Sequence, residues 1–221
     1  MNIDQIIRSK RRTLSLEIAR DARLIIRAPV RMPLGEIERL VLRKKSWIEK
    51  NQKKFRTKHQ EIIPKKYIAG EQFLYLGHLY PLSIVDEGSA PLMFTHEFCL
   101  LKKFQPVAKQ LFMDWYKKEA CRTIKDRLDW YCLQSGLQYN QFNVTGASKR
   151  WGSCNLKNNL NFSWRLIMSP LSVIDYVVAH ELAHIEEKNH SQRFWKKVQA
   201  IFPDYKSQNR WLRENGHWIT I

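Results

Sequence analysis

The chain has few cysteines, and none of them are placed for covalent cross-linking. Its 221 residues include four, Cys99, Cys121, Cys132 and Cys154, scattered without a CxxC pair. This argues against a disulfide framework and against a cysteine-built zinc site, and it fits a reducing compartment. No apolar stretch approaches the ~20 residues that a membrane span requires. No apolar core follows Met1-Asn2-Ile3-Asp4-Gln5 as it would in a secretory leader. Low-complexity tracts and internal repeats are also missing. The expectation is a soluble, cytoplasmic protein with no membrane contact. Acidic residues are scarce: 21 Asp and Glu stand against 38 Lys and Arg, a net charge of +17. Residues 1–66 hold 19 of the basic side chains and 7 of the acidic ones. Such a field attracts polyanions, either nucleotides or nucleic acid. No nucleic-acid-binding motif accompanies the charge, so a solubilising surface explains it equally well.

The chain is long enough for one large domain or two small ones. Residues 12–30 read as a β-hairpin: Leu14, Leu16 and Ile18 alternate with polar neighbours, and Leu24 and Ile26 repeat the pattern after a turn at Asp21-Ala22. From Leu34 to about Lys58 the period becomes helical, with Ile37, Leu40, Val41, Trp47 and Ile48 on one stripe. A strand pair, Phe73–Leu76 and Leu79–Val85, turns at Gly77-His78, and a further extended stretch covers about 92–101. A long helix is expected from Pro106 to about Gln134, stopped at Gly136, with Leu111, Trp115, Ile124 and Leu128 as core positions. Strands follow near 142–147 and 160–166. Ser169-Pro170 reads as N-cap and first position of a helix running to about Glu187. Two short helices, near 191–201 and 204–215, close the chain. The fold class is α+β, with a basic, β-rich N-terminal unit over 1–104 and a largely helical unit with a small sheet over 105–221.

The chemistry concentrates in His180-Glu181-Leu182-Ala183-His184. Residues four apart on a helix share a face, so two imidazoles at this spacing can grip one ion. Glu181, one residue along, reaches the edge of that site and can take a proton from an activated water. A catalytic zinc takes three protein ligands and keeps one open position. His190, six residues beyond His184 and past a turn at Lys188-Asn189, supplies the third. The preceding Val173, Ile174, Val177 and Val178 make this a buried helix, in which histidine and glutamate are costly unless paired or ligating. His59, His78, His96 and His217 lack partners at ligand spacing.

Three segments, Arg150-Trp151-Gly152-Ser153-Cys154, Asn161-Phe162-Ser163-Trp164-Arg165-Leu166 and Val173 to Trp195, resemble the YgjP-like family of zinc metallopeptidases, itself similar to the SprT-like and WLM peptidases. The match is strongest over about 143–215. The basic opening, Ala28-Pro29 and Ser46-Trp47-Ile48 extend it over nearly the whole chain. The resemblance implies a minimal zincin-like domain with His180, His184 and His190 holding one Zn2+ and Glu181 as general base. One departure is Ser163, where the family more often has asparagine. The motif spacing also equals that of metzincins, but Glu187 occupies their glycine position and no Met-turn follows.

Substrate contacts are expected in two places. In the Trp151-Gly152-Ser153-Cys154 loop, glycine permits close backbone approach and small polar groups can bind a substrate or orient a ligand, although a tight turn plugged by tryptophan fits the same residues. The strand Leu160–Trp164, with Asn161 and Trp164, could be the edge against which an extended peptide lies. The expected function is zinc-dependent hydrolysis of a peptide bond by water activated through Glu181. Two alternatives stand beside it. One is a metal-dependent nucleoside triphosphate pyrophosphohydrolase whose basic N-terminal region holds the phosphates. The other is a nucleic-acid-associated module.

Overall fold

A computed structural model describes residues 3–19, 22–59 and 64–219. The fold is α+β and divides into two compact units, Met1–Pro64 and Lys65–Ile221. The boundary expected at 104 falls inside the second unit, whose single core runs from Tyr67 to Ile219.

In the first unit, strands β1 (Gln5–Ser9), β2 (Ser15–Ile18) and β3 (Leu24–Pro29) form a sheet in the order β1-β3-β2. The predicted hairpin is the antiparallel β2–β3 pair, and β1 adds to β3 in parallel. Asp21 of the predicted turn lies outside the described residues, while Ala22 has a φ of 65°. Alternate residues of β3, namely Leu24, Ile26 and Ala28, point into a small core with Ile37, Val41 and Ile48. The single helix expected from Leu34 to Lys58 is instead two: α1 (Leu34–Arg43) and α2 (Lys45–His59). They part at Lys44, whose φ of −101° and ψ of 12° leave the helical region. Trp47 lies beyond that break and is 46% exposed rather than in the core.

In the second unit, β4 (Gln72–Tyr75), β5 (His78–Val85), β6 (Leu92–Phe94) and β7 (Phe98–Leu101) make a sheet in the order β4-β5-β7-β6. The extended stretch expected over 92–101 is therefore a hairpin, antiparallel between β6 and β7. Helix α3 (Ala108–Ser135) lays Phe112, Tyr116, Ala120, Ile124, Leu128 and Tyr131 along one buried stripe at three- and four-residue spacing. Phe112 stacks on Phe73 with ring centroids 4.1 Å apart. Of the core positions expected on this helix, Ile124 and Leu128 are buried, whereas Leu111 and Trp115 are partly exposed at its flank. Gly136 ends the helix in the left-handed region, at φ 70°, as its lack of a Cβ permits.

The tip of the β4–β5 hairpin docks onto the short 3-10 segment Trp164–Met168, through Leu76 N–H to Ile167 O at 2.8 Å and Gly77 N–H to Met168 O at 3.2 Å. That segment leads directly into α4 (Leu171–Glu186), so the hairpin braces the start of the helix that carries the histidines. The cap of α4 is Pro170 rather than Ser169. Pro170 holds an extended ψ of 146°, and its carbonyl accepts the first helical bonds from Val173 and Ile174. The Ser169 hydroxyl is turned away and donates to Leu166 O at 2.6 Å. Among the described residues no helix is long and apolar enough to cross a membrane.

The last sheet, β8 (Gln141–Thr145), β9 (Gly152–Cys154) and β10 (Asn159–Ser163), has the order β8-β10-β9. The strand expected at the sheet edge, β10, is thus the central one, parallel to β8 and antiparallel to β9. The two outer strands of this sheet are β8 and β9. Helices α5 (Gln192–Ile201) and α6 (Tyr205–Asn215) complete the unit.

Candidate metal centre and cleft

Helix α4 is buried on nearly every side, by Val173, Ile174, Val177, Val178, Leu182 and Ala183 among others, so its polar residues stand out. His180 and His184 lie one turn apart on it and are partly buried. After Glu186 the chain leaves the helix and turns. Asn189 Oδ1 accepts from Ser191 N–H at 3.2 Å, and Ser191 Oγ accepts from Phe194 N–H at 3.3 Å to cap α5. This turn delivers the exposed His190 opposite the other two. One ring nitrogen from each of the three histidines falls within 4.8 Å of the rest. Nε2 of His180 stands 3.1 Å from Nε2 of His190. Two nitrogens bound to one tetrahedral zinc would be about 3.3 Å apart.

The protonation pattern fits a cation. Burial holds the His180 pKa down at about 3, and the neighbouring His184 and His190 add to the effect. Burial lowers His184 as well, against the opposing hydrogen bond from Glu187. Both rings are therefore neutral at ordinary pH, which is the ligating form. Nδ1 of His184 is 2.9 Å from the Glu187 carbonyl and donates to it, leaving Nε2 free to face the site. Two buried polar atoms here, Nδ1 of His180 and Oε2 of Glu181, find no hydrogen-bond partner in the protein. Polar groups left in that state are costly. Beside these orphaned atoms, the three converging imidazoles form a cluster that could hold a metal ion.

Beneath the three imidazoles lies Phe194. It stacks on His184 at 4.4 Å and meets His180 and His190 edge-on at 4.9 and 4.7 Å. This apolar floor fixes the ring orientations, and no motif in the sequence announces it. It could have been found only as the aromatic four residues past His190, on the inward face of α5.

Glu181 is 4% exposed, and burial pushes its pKa up to about 8 against the opposing charge of Arg150. Its carboxylate lies flat against Gly152 at the start of β9, close enough that a side chain there would collide with it. A cleft of about 320 Å³ opens over this acid, lined by Trp151, Tyr176, His180, Asn209 and Arg213 among others.

The remaining expected contact residues divide. Trp151 and Gly152 line the cleft, and Trp151 also packs its ring on Gly216 at the end of α6. Burial raises the pKa of the Cys154 thiol more than the nearby Lys188 lowers it, which disfavours the nucleophilic thiolate. Lys188 pins the turn after α4 to the β9–β10 loop, donating to Asn155 O at 3.1 Å and Asn158 Oδ1 at 2.6 Å. Ser153 and Asn161 pair across the strands at 3.4 Å. They alternate with Gly152 and Phe162, so they lie on the sheet face turned away from Glu181. Trp164 is core: it is 2% exposed and stacks on Tyr116. Ser163 is also buried, its hydroxyl donating to Ala147 O at 2.7 Å. Sequence reasoning missed Tyr176, Asn209 and Arg213. The last two are ordinary polar residues on a terminal helix that only the tertiary fold brings to the cleft.

A search of curated proteins gives no match. Among solved structures, the chain is similar to the zymogen of the Pyrococcus abyssi metallopeptidase abylysin, at 20% identity over 41% of this chain and 93% of that one, with a TM-score of 0.38. It is similar also to the zymogen of Methanocaldococcus jannaschii jannalysin, at 19% identity over 41% of this chain and 91% of that one, with a TM-score of 0.34. The YgjP-like metallopeptidase domain matches residues 12–215, which include every residue of the histidine cluster and its acid, and the chain belongs to that family.

Proposed function

We propose that the protein is a zinc-dependent peptidase in which His180, His184 and His190 hold one ion and Glu181 acts as general base. The observation that carries this reading is the convergence of three imidazoles beside a buried carboxyl group, one oxygen of which has no hydrogen-bond partner. Three nitrogen ligands suit zinc and leave a fourth position open for water or substrate. A zinc ion bound there would supply Lewis acidity, polarising the scissile carbonyl and making water acidic enough to be activated near neutral pH.

The chain's own residues do the rest. Glu181 takes the proton of the attacking water and passes it to the departing amine, which leaves as the carbon–nitrogen bond breaks. In the metal-free protein its pKa of about 8 means that the acid is largely protonated at neutrality, and a cation beside it favours the charged, basic form. Gly152 leaves Glu181 the room to lie at the cleft wall. Strand β9, an outer strand of its sheet, offers main-chain groups along which an extended peptide can be held.

The test uses the full chain reconstituted with zinc. Glu181→Gln should keep one metal per chain, measured by elemental analysis, and lose peptide hydrolysis by about 10³-fold, the scale of a lost general base. A metal-loaded Glu181→Gln protein that still cleaves peptides at the wild-type rate would sink the mechanism.

A further inference from the structure

The cleft beside Glu181 is walled on one side by α6, which sends in Asn209 and Arg213 on either side of the buried Leu212. Residues 209 and 213 are one helical turn apart, so their side chains share a face. Within their own unit each could have been consumed by a neighbour. Instead, neither makes a hydrogen bond or ion pair among the described residues. Three other polar residues of this helix are engaged: Ser207 and Gln208 bond to Asp204, and Asn215 bonds to Trp211 O. Asn209 and Arg213 thus bring unspent side-chain donors to the cleft. Arg213 is also the only permanently charged cation in the lining, which otherwise combines the aromatic and apolar surfaces of Trp151, Tyr176, Val177 and Leu212 with His180 and Glu181.

A planar guanidinium with an amide one turn away presents a fork of N–H donors, and the group that matches a fork of this kind is a carboxylate. We propose that Asn209 and Arg213 form a carboxylate-binding subsite, so that the enzyme selects peptides carrying a carboxylate next to the scissile bond. This rests on the peptidase reading above and names the substrate class for it. The carboxylate belongs either to an Asp or Glu side chain or to the peptide's own C-terminus. The two sources share the same recognition chemistry. The subsite discriminates through differential affinity, with Arg213 attracting an acidic group and repelling a basic one.

The experiment measures kcat/KM for the zinc-loaded full chain on peptides that differ only at positions flanking the cleaved bond. One set has both ends blocked and carries Glu, Gln or Lys at each scanned position. A second set carries Gln and has a free or an amidated C-terminus. In the wild type, Glu over Gln, or free acid over amide, should be favoured by about tenfold or more through KM, the scale of one charge-assisted hydrogen bond. The set that shows the preference identifies the source of the carboxylate. Arg213→Glu should invert the Glu-to-Lys or acid-to-amide ratio, and Arg213→Lys should keep its direction. Equal cleavage of all peptides by the wild type, or a ratio unmoved in Arg213→Glu, would overturn the subsite while leaving the peptidase intact. An inversion seen in Arg150→Glu instead of Arg213→Glu would also overturn it. Failure of the underlying reading looks different: no peptide of either set is cleaved, or cleavage survives Glu181→Gln.

Discussion

The α-carbon of Gly152 faces the side chain of Glu181 so closely that a methyl group placed on it would stand 2.6 Å from Cγ and 2.7 Å from Cδ of the acid. Helix α4 and the sheet thus meet through a glycine, and the position of Glu181, the proposed general base, depends on the missing side chain. Gly152→Ala must push Glu181 aside. A displacement of this kind, about 1 Å, costs on the order of 10²-fold in rate, and overpacking costs roughly 1–3 kcal/mol of stability. The three nearest atoms to a Cβ at 152 all belong to Glu181 and none to the proposed histidine ligands, so the metal content should stay at one ion per chain. Kinetics, elemental analysis and a urea melt on the same preparation check all three expectations.

Local spacing made the histidine helix legible, because the i, i+4 histidines and the acid between them are short-range signals, whereas the approach of Gly152 to Glu181 joins distant parts of the chain. His190 was readable as the next histidine past a turn. Sheet order was not readable. The pattern of Leu160 and Phe162 shows that β10 buries one face, but it does not show that β8 and β9 flank it, because pairing partners are chosen over long sequence distances. The break at Lys44 escaped because the apolar period continues through it to Ile48. The unit boundary at Pro64 escaped because strands β4 to β7 look, as sequence, like more of the same β-rich unit. Tertiary contacts such as the stacking of Phe73 on Phe112 reveal that they share a core with α3.

Metal removal should be visible as lost stability. A ligand that binds only the folded state contributes about 4 kcal/mol at a concentration ~10³ times its Kd. Chelation should therefore lower the melting temperature of the wild type, and readdition of zinc should restore it. In His190→Ala the exposed third proposed ligand is gone while the partly buried pair on α4 remains. The metal-free variant should melt with the metal-free wild type, and zinc should raise its melting temperature far less. An equal rise in both proteins, followed by differential scanning calorimetry, would remove His190 from the ligand set.

Gly77 occupies the hairpin tip that braces the start of α4, with a φ of +84°, and a Cβ there would meet Pro170 Cγ at 2.8 Å. Gly77→Ala combines a left-handed conformation, costing roughly 1–2 kcal/mol for a residue with a Cβ, with a collision against a ring that cannot swing away. The expected loss is about 2–4 kcal/mol in a denaturant melt. Gly70 has a similar φ of +81° but nothing within 4 Å. Gly70→Ala should show only the backbone part of the loss, so the difference between the two variants measures the hairpin's docking.

The pH profile of the metal-free protein should carry the signature of two opposed groups on adjacent residues. Burial lowers His180 from 6.5 to about 3, so the unfolded chain binds a proton that the folded one rejects. The stability associated with its neutral ring is fully present above pH 6.5 and is lost as the pH falls towards 3. Burial raises Glu181 from 4.5 to about 8, so the folded chain holds a proton that the unfolded one releases. Its contribution is present below pH 4.5 and is lost as the pH rises towards 8. Each slope approaches about 1.4 kcal/mol per pH unit where only one group is active. Between 4.5 and 6.5 these two slopes oppose each other, with His184, also lowered by burial, adding to the histidine side, and an acid limb lies below this window and an alkaline limb above it. Glu181→Gln removes the second titration, so its alkaline limb should flatten while the acid limb persists. Chemical denaturation of chelated wild type and variant across pH 4–8.5 reads both limbs, and an alkaline limb unchanged in the variant would assign it to another group.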